Sequence, residues 1–256
     1  MKHAFAASMA VVALLVPHED GARAADITGL AVVPLRTSFN VLVPQFEAAS
    51  GHKVKITYGG SSDLSRQLTA GEPFDVAFVW PAMVERLIKE GKMVPDSRTE
   101  IARVGIGVAV RKGAPKPDIS TTAAFKRTLL NAASVSHSAE GASGTYFKAL
   151  LERLGIAAEM QPKLRPQQGG PLVVGPVARG EAEMAVITIP FVALEPGADL
   201  VGPLPDELQD YVVYTAGIGA HTAQSDAARA LLRHLTSPAA ASVFRTNGLD
   251  PMAQGR

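Results

Sequence analysis

The sequence predicts an α/β fold of two lobes, each a mostly parallel sheet flanked by helices, with a hinge and a central cleft. Three observations carry this expectation. Strand-like and helix-like segments alternate along the chain, which is the pattern of parallel strands joined by helical crossovers. The alternation comes in two series, one before and one after about residue 104. The chain has 256 residues, 47% of them hydrophobic, and no Cys, so its core must be stable without disulfides and is large enough to be so.

The first series opens with a buried strand over residues 27–33. Phe39, Leu42, Val43 and Phe46 then recur at helical spacing, and Gly51 suits a left-handed helix stop. Residues 54–58 alternate as a strand does, and residues 61–69 read as a helix with Leu64 and Leu68 on one face. Residues 76–79 form a short apolar strand. Pro81 suits the first turn of the next helix, which turns Met83, Leu87 and Ile88 inward and stops at Gly91.

The second series begins with a β-branched run at 104–110, followed by a Pro/Lys/Gly loop at 112–117. A helix over 123–130 and a short strand over 133–136 come next. Phe147, Leu150, Leu151 and Leu154 mark a further helix, again stopped by a glycine, Gly155. Residues 172–179 read as a helix, and residues 184–189 and 212–218 as strands. Helices over 225–235 and 238–247 close the chain. The expected division is a leader at 1–24, a first lobe of 25–103 with 219–256, and a second lobe of 104–218. The chain then crosses between lobes near Ala102 and near Ala220, and two crossings make a hinge.

Residues 1–24 have the order of a cleavable secretory signal. Lys2 and His3 give a basic start, residues 6–16 are apolar apart from Ser8, and Ala22-Arg23-Ala24 fits a small-x-small cleavage site. The apolar stretch is too short to span a bilayer, and no later stretch reaches that length. The formal net charge is +1, from 25 basic and 24 acidic residues. Nothing resembles the basic face that nucleic acid requires, or a stripe suited to an acidic membrane.

Three segments could carry chemistry. Tyr58-Gly59-Gly60-Ser61-Ser62-Asp63 lies between a strand and a helix, so Ser61 and Ser62 sit beside the unpaired N–H groups of a helix start. The same residues also suit plain N-capping. The segment 136–146 repeats this arrangement in the other lobe, with Ser143, Gly144 and Thr145 at the helix start, and it also reads as a polar loop with a Ser or Thr cap. Arg36 follows the first strand, where an open α/β sheet binds ligands and where an Arg can hold a carboxylate or stay solvated. Trp80 follows the third strand as a cleft wall or as core.

The enzyme motifs sought are missing: no G-x-S-x-G, H-E-x-x-H, Walker A or G-x-G-x-x-G occurs. The histidines are scattered, and no metal or cofactor is expected. The reading is therefore a non-enzymatic anion binder. A secreted serine hydrolase using Ser143 and His137 is the rival class.

The order of these features resembles the periplasmic molybdate-binding proteins of ABC importers, with the type II periplasmic binding protein fold. The resemblance runs from about Ile27 to Pro251. It is strongest at Gly60-Ser61-Ser62-Asp63-Leu64-Ser65-Arg66-Gln67-Leu68, at Gly71-Glu72-Pro73-Phe74-Asp75-Val76, at Arg179-Gly180-Glu181-Ala182 and at Ser237-Pro238-Ala239-Ala240. It implies a periplasmic monomer that carries a small anion to a membrane permease. It also implies site positions. The family's second-loop serine falls on Ser61 and is kept. Its first-loop serine falls on Pro34, its helix-start alanine on Ser143, its backbone-donor valine on Gly170 and its closing tyrosine on Thr188. These departures remove donors from the tight ring that a tetrahedral oxyanion needs. With Arg36 nearby, the expected ligand is an organic di- or tricarboxylate, and molybdate or tungstate is the alternative. The expected binding set is Arg36, Ser61, Ser62, Trp80, Ser143, Gly144, Thr145, Gly170 and Thr188.

Overall fold

The structure is a computed structural model that describes residues 24–252. The expected leader therefore lies, apart from Ala24, outside the described residues. In the first series, β1 (Asp26–Val32) passes through a 3-10 turn (Val33–Leu35) directly into α1 (Arg36–Ser50). β2 (Lys53–Gly59), α2 (Ser61–Ala70), β3 (Val76–Val79) and α3 (Pro81–Lys89) follow. α1 and α2 end at Gly51 and Gly71, both left-handed, where a side chain would be strained.

A long strand, β4 (Thr99–Arg111), opens the second series. It leads to α4 (Thr122–Asn131), β5 (Val135–Ser138), α5 (Gly141–Arg153), α6 (Ala157–Met160) and β6 (Leu164–Gln167). A 3-10 turn at Gly170–Leu172, α7 (Gly175–Ala178), β7 (Met184–Thr188), α8 (Pro190–Ala193) and β8 (Ala198–Pro203) come next. β9 (Tyr211–Ile218), α9 (Ser225–Leu235), α10 (Pro238–Thr246) and β10 (Asp250–Pro251) close the described chain. The helix expected over 172–179 is broken in two. Pro176 has no N–H to give and crowds the turn before it, so only the short α7 forms behind the 3-10 turn.

The strand order is β2-β1-β3-β9-β4-β7-β5-β6, with β8 and β10 also on β4. β1 pairs in parallel with β2 and β3, and β5 with β6 and β7. Each parallel set is closed by an antiparallel neighbour: β9 beside β3, and β4 beside β7. β4 is shared. Its first part, from Thr99 to Gly105, pairs with β9, and Ile106 to Val110 pairs with β7. The first crossing between lobes thus falls inside β4. β9 was expected in the second lobe. It instead runs antiparallel to β3, Val76 opposite Ile218, and its Tyr214, Ala216 and Ile218 join the first lobe's core. The second crossing therefore comes just before Tyr211 rather than near Ala220.

One core packs α1, α2, α3, α9 and α10 on the first sheet, with Phe39 and Phe78 edge to face at 4.8 Å. A second gathers Ile106, Val108, Phe125, Phe147, Leu150 and Val186. A smaller third cluster, with Val173, Val177 and Ile187, covers the opposite face of β7. Burying side chains of this size contributes about 1.5–3 kcal/mol each. These cores fix the strand ends, and the strand ends position the cleft.

Candidate functional site

The strand-to-helix turns of both lobes converge on a cavity of about 790 Å³. The first lobe supplies Val32, Val33 and Pro34 at the end of β1, Gly59 through Ser62 at the end of β2, and Trp80 after β3. The second supplies Ser138, Gly141, Ser143 and Thr145 around the start of α5, and Thr188 at the end of β7. This is the carboxyl edge of the parallel strands, where open α/β sheets present helix starts and loops to a ligand.

The helix starts are left free. The N-cap of α2 is Gly60, which has no side chain to offer. Ser61 and Ser62 are therefore first-turn residues, and the plain-capping alternative does not apply to them. The N-cap of α5 is Glu140, whose side chain makes no capping hydrogen bond. Ser143 and Thr145 lie beyond the cap, inside the helix. First-turn N–H groups without a side-chain cap are ready donors for an anion, reinforced by the helix dipole. Ser62 Oγ also donates to Glu140 Oε2 at 3.2 Å, so the two helix starts meet across the cleft.

Of the expected binding set, Ser61, Ser62, Trp80, Ser143, Thr145, Gly170 and Thr188 line the cavity. Gly144 is not among the lining residues. It lies behind them, where α5 packs so tightly on the end of β5 that an added Cβ would be 2.2 Å from Ser138 O. Arg36 is not in the cavity either. The 3-10 turn after β1 carries it to the outside, where it is exposed and its guanidinium stacks 4.8 Å from the centre of the Tyr58 ring. Burial pushes the Tyr58 phenol up to about 12, with Arg36 acting in the opposite direction. The counter-charge expected from Arg36 is thus not part of the described cavity lining. Among the described lining residues Asp210 is the one that carries a formal charge.

Sequence reasoning missed Tyr146, Phe191, Asp210, Val212 and Tyr214 as cavity residues. Tyr146 donates to Leu208 O and accepts from Arg153, so its hydroxyl is engaged. Asp210, Val212 and Tyr214 belong to the second crossing and β9, whose lobe was misassigned. His137 does not meet Ser143 in the cavity. It faces a separate groove with Lys148 and Glu152, and its Nδ1 donates to Ser138 O. The Ser143–His137 pairing of the hydrolase alternative does not form.

A family profile described as bacterial extracellular solute-binding protein matches residues 27–250. The chain belongs to this family. It is 33% identical over 254 residues to a protein of Pseudomonas sp named aconitate isomerase, covering 96% of each. It is 25% identical over 228 residues to the molybdate-binding protein ModA of Escherichia coli (strain K12), covering 87% of this chain and 88% of that protein. The structure of the Azotobacter vinelandii periplasmic molybdate-binding protein superposes with a TM-score of 0.73 at 20% identity, covering 89% of this chain and all of that one. The two lobes of the solute-binding chain lie around the cleft described above. No helix among the described residues is long and apolar enough to cross a membrane.

Proposed function

We propose that this solute-binding protein takes a small organic di- or tricarboxylate in its cleft, and that it acts outside the cytoplasm as the binding component of an ABC importer. One observation carries the reading. Two helix starts without side-chain caps face a shared cavity of about 790 Å³ whose described lining holds no basic side chain and one carboxylate, Asp210. Such a site holds anions through N–H and hydroxyl dipoles. Its size is that of pockets for organic ligands, roughly 300–1,000 Å³. In this reading one carboxylate meets the start of α2 with Ser61, and a second meets the start of α5 with Ser143. Residues 1–24 direct export, and the loaded monomer docks on a membrane permease. The relative named aconitate isomerase supports a carboxylate over molybdate or tungstate.

That same name supports a second reading, in which the cleft isomerises an unsaturated tricarboxylate by moving a proton on carbon. Asp210 is then the lining carboxylate available as base. Calorimetric titration of the purified chain with trans-aconitate, citrate, smaller dicarboxylates and molybdate tests the first reading. Saturable carboxylate heats are expected, and a response to molybdate alone overturns the assignment. Proton NMR of trans-aconitate incubated with the protein tests the second. A catalytic build-up of the cis isomer, lost in Asp210→Asn, would make the protein an enzyme. An unchanged spectrum leaves it a binder.

A further inference from the structure

Two tyrosines line the cleft, and they differ in what their hydroxyls do. Tyr146 is tied to Leu208 O and Arg153. Tyr214 is buried at 5% exposure and comes from β9 in the first lobe's sheet. Beside it stands Thr188, 3% exposed, at the end of β7 in the other lobe. Thr188 Oγ1 is buried without a hydrogen-bond partner. The Tyr214 phenol lies close to it, though short of a full hydrogen bond. Both side chains line the cavity. A buried hydroxyl left unpaired is costly, and of the buried unpaired side-chain atoms among the described residues, Ser38 Oγ, Gln67 Oε1, Thr188 Oγ1 and Thr215 Oγ1, Thr188 Oγ1 is the one whose residue lines the cavity. Here the pair faces the ligand space from opposite lobes.

We propose that Tyr214 is a ligand-contacting, specificity-determining residue: its phenol and the Thr188 hydroxyl together hold one carboxylate of the bound acid, and this joins the lobes around it. The inference rests on the carboxylate reading above. Burial raises the Tyr214 pKa, so the phenol stays protonated at neutral pH and acts as a donor. A carboxylate accepts through two oxygens, which suits two adjacent donors. Contact with groups on both lobes favours the closed cleft only when ligand is present.

The test uses the purified chain and its Tyr214→Phe, Thr188→Val and double variants. Each is titrated calorimetrically with trans-aconitate, citrate and molybdate, and affinities are compared for the ligand the wild type binds best. Each single variant is expected to lose about tenfold or more, the amount of a charge-assisted hydrogen bond. The double variant is expected to lose less than the product, because the two groups share one carboxylate. Thermal midpoints of the unliganded proteins should agree within a few degrees, and if Tyr214→Phe fails to fold, Thr188→Val carries the test. Unchanged affinity in the variants, with the wild type binding a carboxylate, overturns this proposal alone. A wild type that binds only molybdate overturns the carboxylate reading, and with it the carboxylate contact proposed here. A wild type that binds none of the three overturns both.

Discussion

The side-chain amide of Gln209 brackets Ile106 as a neighbouring strand would: Ile106 N donates to Gln209 Oε1 at 2.8 Å, and Gln209 Nε2 donates to Ile106 O at 2.9 Å. Ile106 is where β4 leaves its pairing with β9 and begins its pairing with β7. Gln209 lies just before β9, at the other crossing. One side chain thus ties the two crossings together at the hinge. Gln209→Ala removes both bonds and is expected to lower stability by about 1–3 kcal/mol. Urea unfolding checks this, with the midpoint falling and the slope unchanged. A midpoint equal to wild type would show that water replaces the amide.

Arg36 was expected at the ligand and is instead stacked on Tyr58. An exposed cation over an aromatic ring contributes about 0.5–1 kcal/mol. Arg36→Ala should therefore cost stability of that order and leave ligand affinity within about twofold. Titration of the variant with the wild type's best ligand measures it. A tenfold loss would return Arg36 to the site by long-range attraction.

His137 makes stability depend on pH. Burial holds its pKa below the ordinary value of about 6.5, against the opposing effect of its bond to Ser138 O. The unfolded chain therefore takes up a proton at a higher pH than the folded one. Its neutral form contributes stability that is full above about 6.5 and declines as pH falls below that value toward the folded pKa. Urea midpoints at about pH 7.5 and pH 5.5 should drop for wild type and drop less for His137→Asn, which keeps a donor for Ser138 O. Equal drops would assign the acid sensitivity to other groups.

Much of the fold was legible because packing repeats the local pattern. Phe39, Leu42 and Phe46 mark one face of α1 in the sequence and are buried together in the structure. β6 and β8 were not legible. β6 contains Pro166 and has no buried residue, and β8 is half-buried almost throughout, so neither alternates. The placement of β9 depends on Val76 meeting Ile218, a contact between residues far apart in the chain. The site divides in the same way. Ser61 and Ser143 follow strands within their own segments and could be read locally. Tyr214 and Asp210 reach the cavity only through β9's antiparallel pairing, and Arg36 misses it because of one 3-10 turn.

Gly170 and Phe191 share a space that only one side chain can fill. A Cβ added at Gly170 would lie 2.4 Å from Phe191 Cε2 and 2.5 Å from its Cζ. Both residues line the cleft, so the bare glycine lets the ring form part of the apolar wall. In Gly170→Val the ring must turn away, and the cavity it already borders is the space open to it. Overpacking of this kind costs about 1–3 kcal/mol. The variant should lose that stability and also bind the best wild-type ligand more weakly, because the ring narrows the pocket. Phe191→Ala in the Gly170→Val background removes the clash and should recover most of the affinity, whereas Phe191→Ala alone should leave a looser site. Titration and urea unfolding of the three variants form a closed cycle. Additive effects on affinity would show that the two residues do not compete for one space, and that the smaller residue at 170 has no part in shaping the pocket.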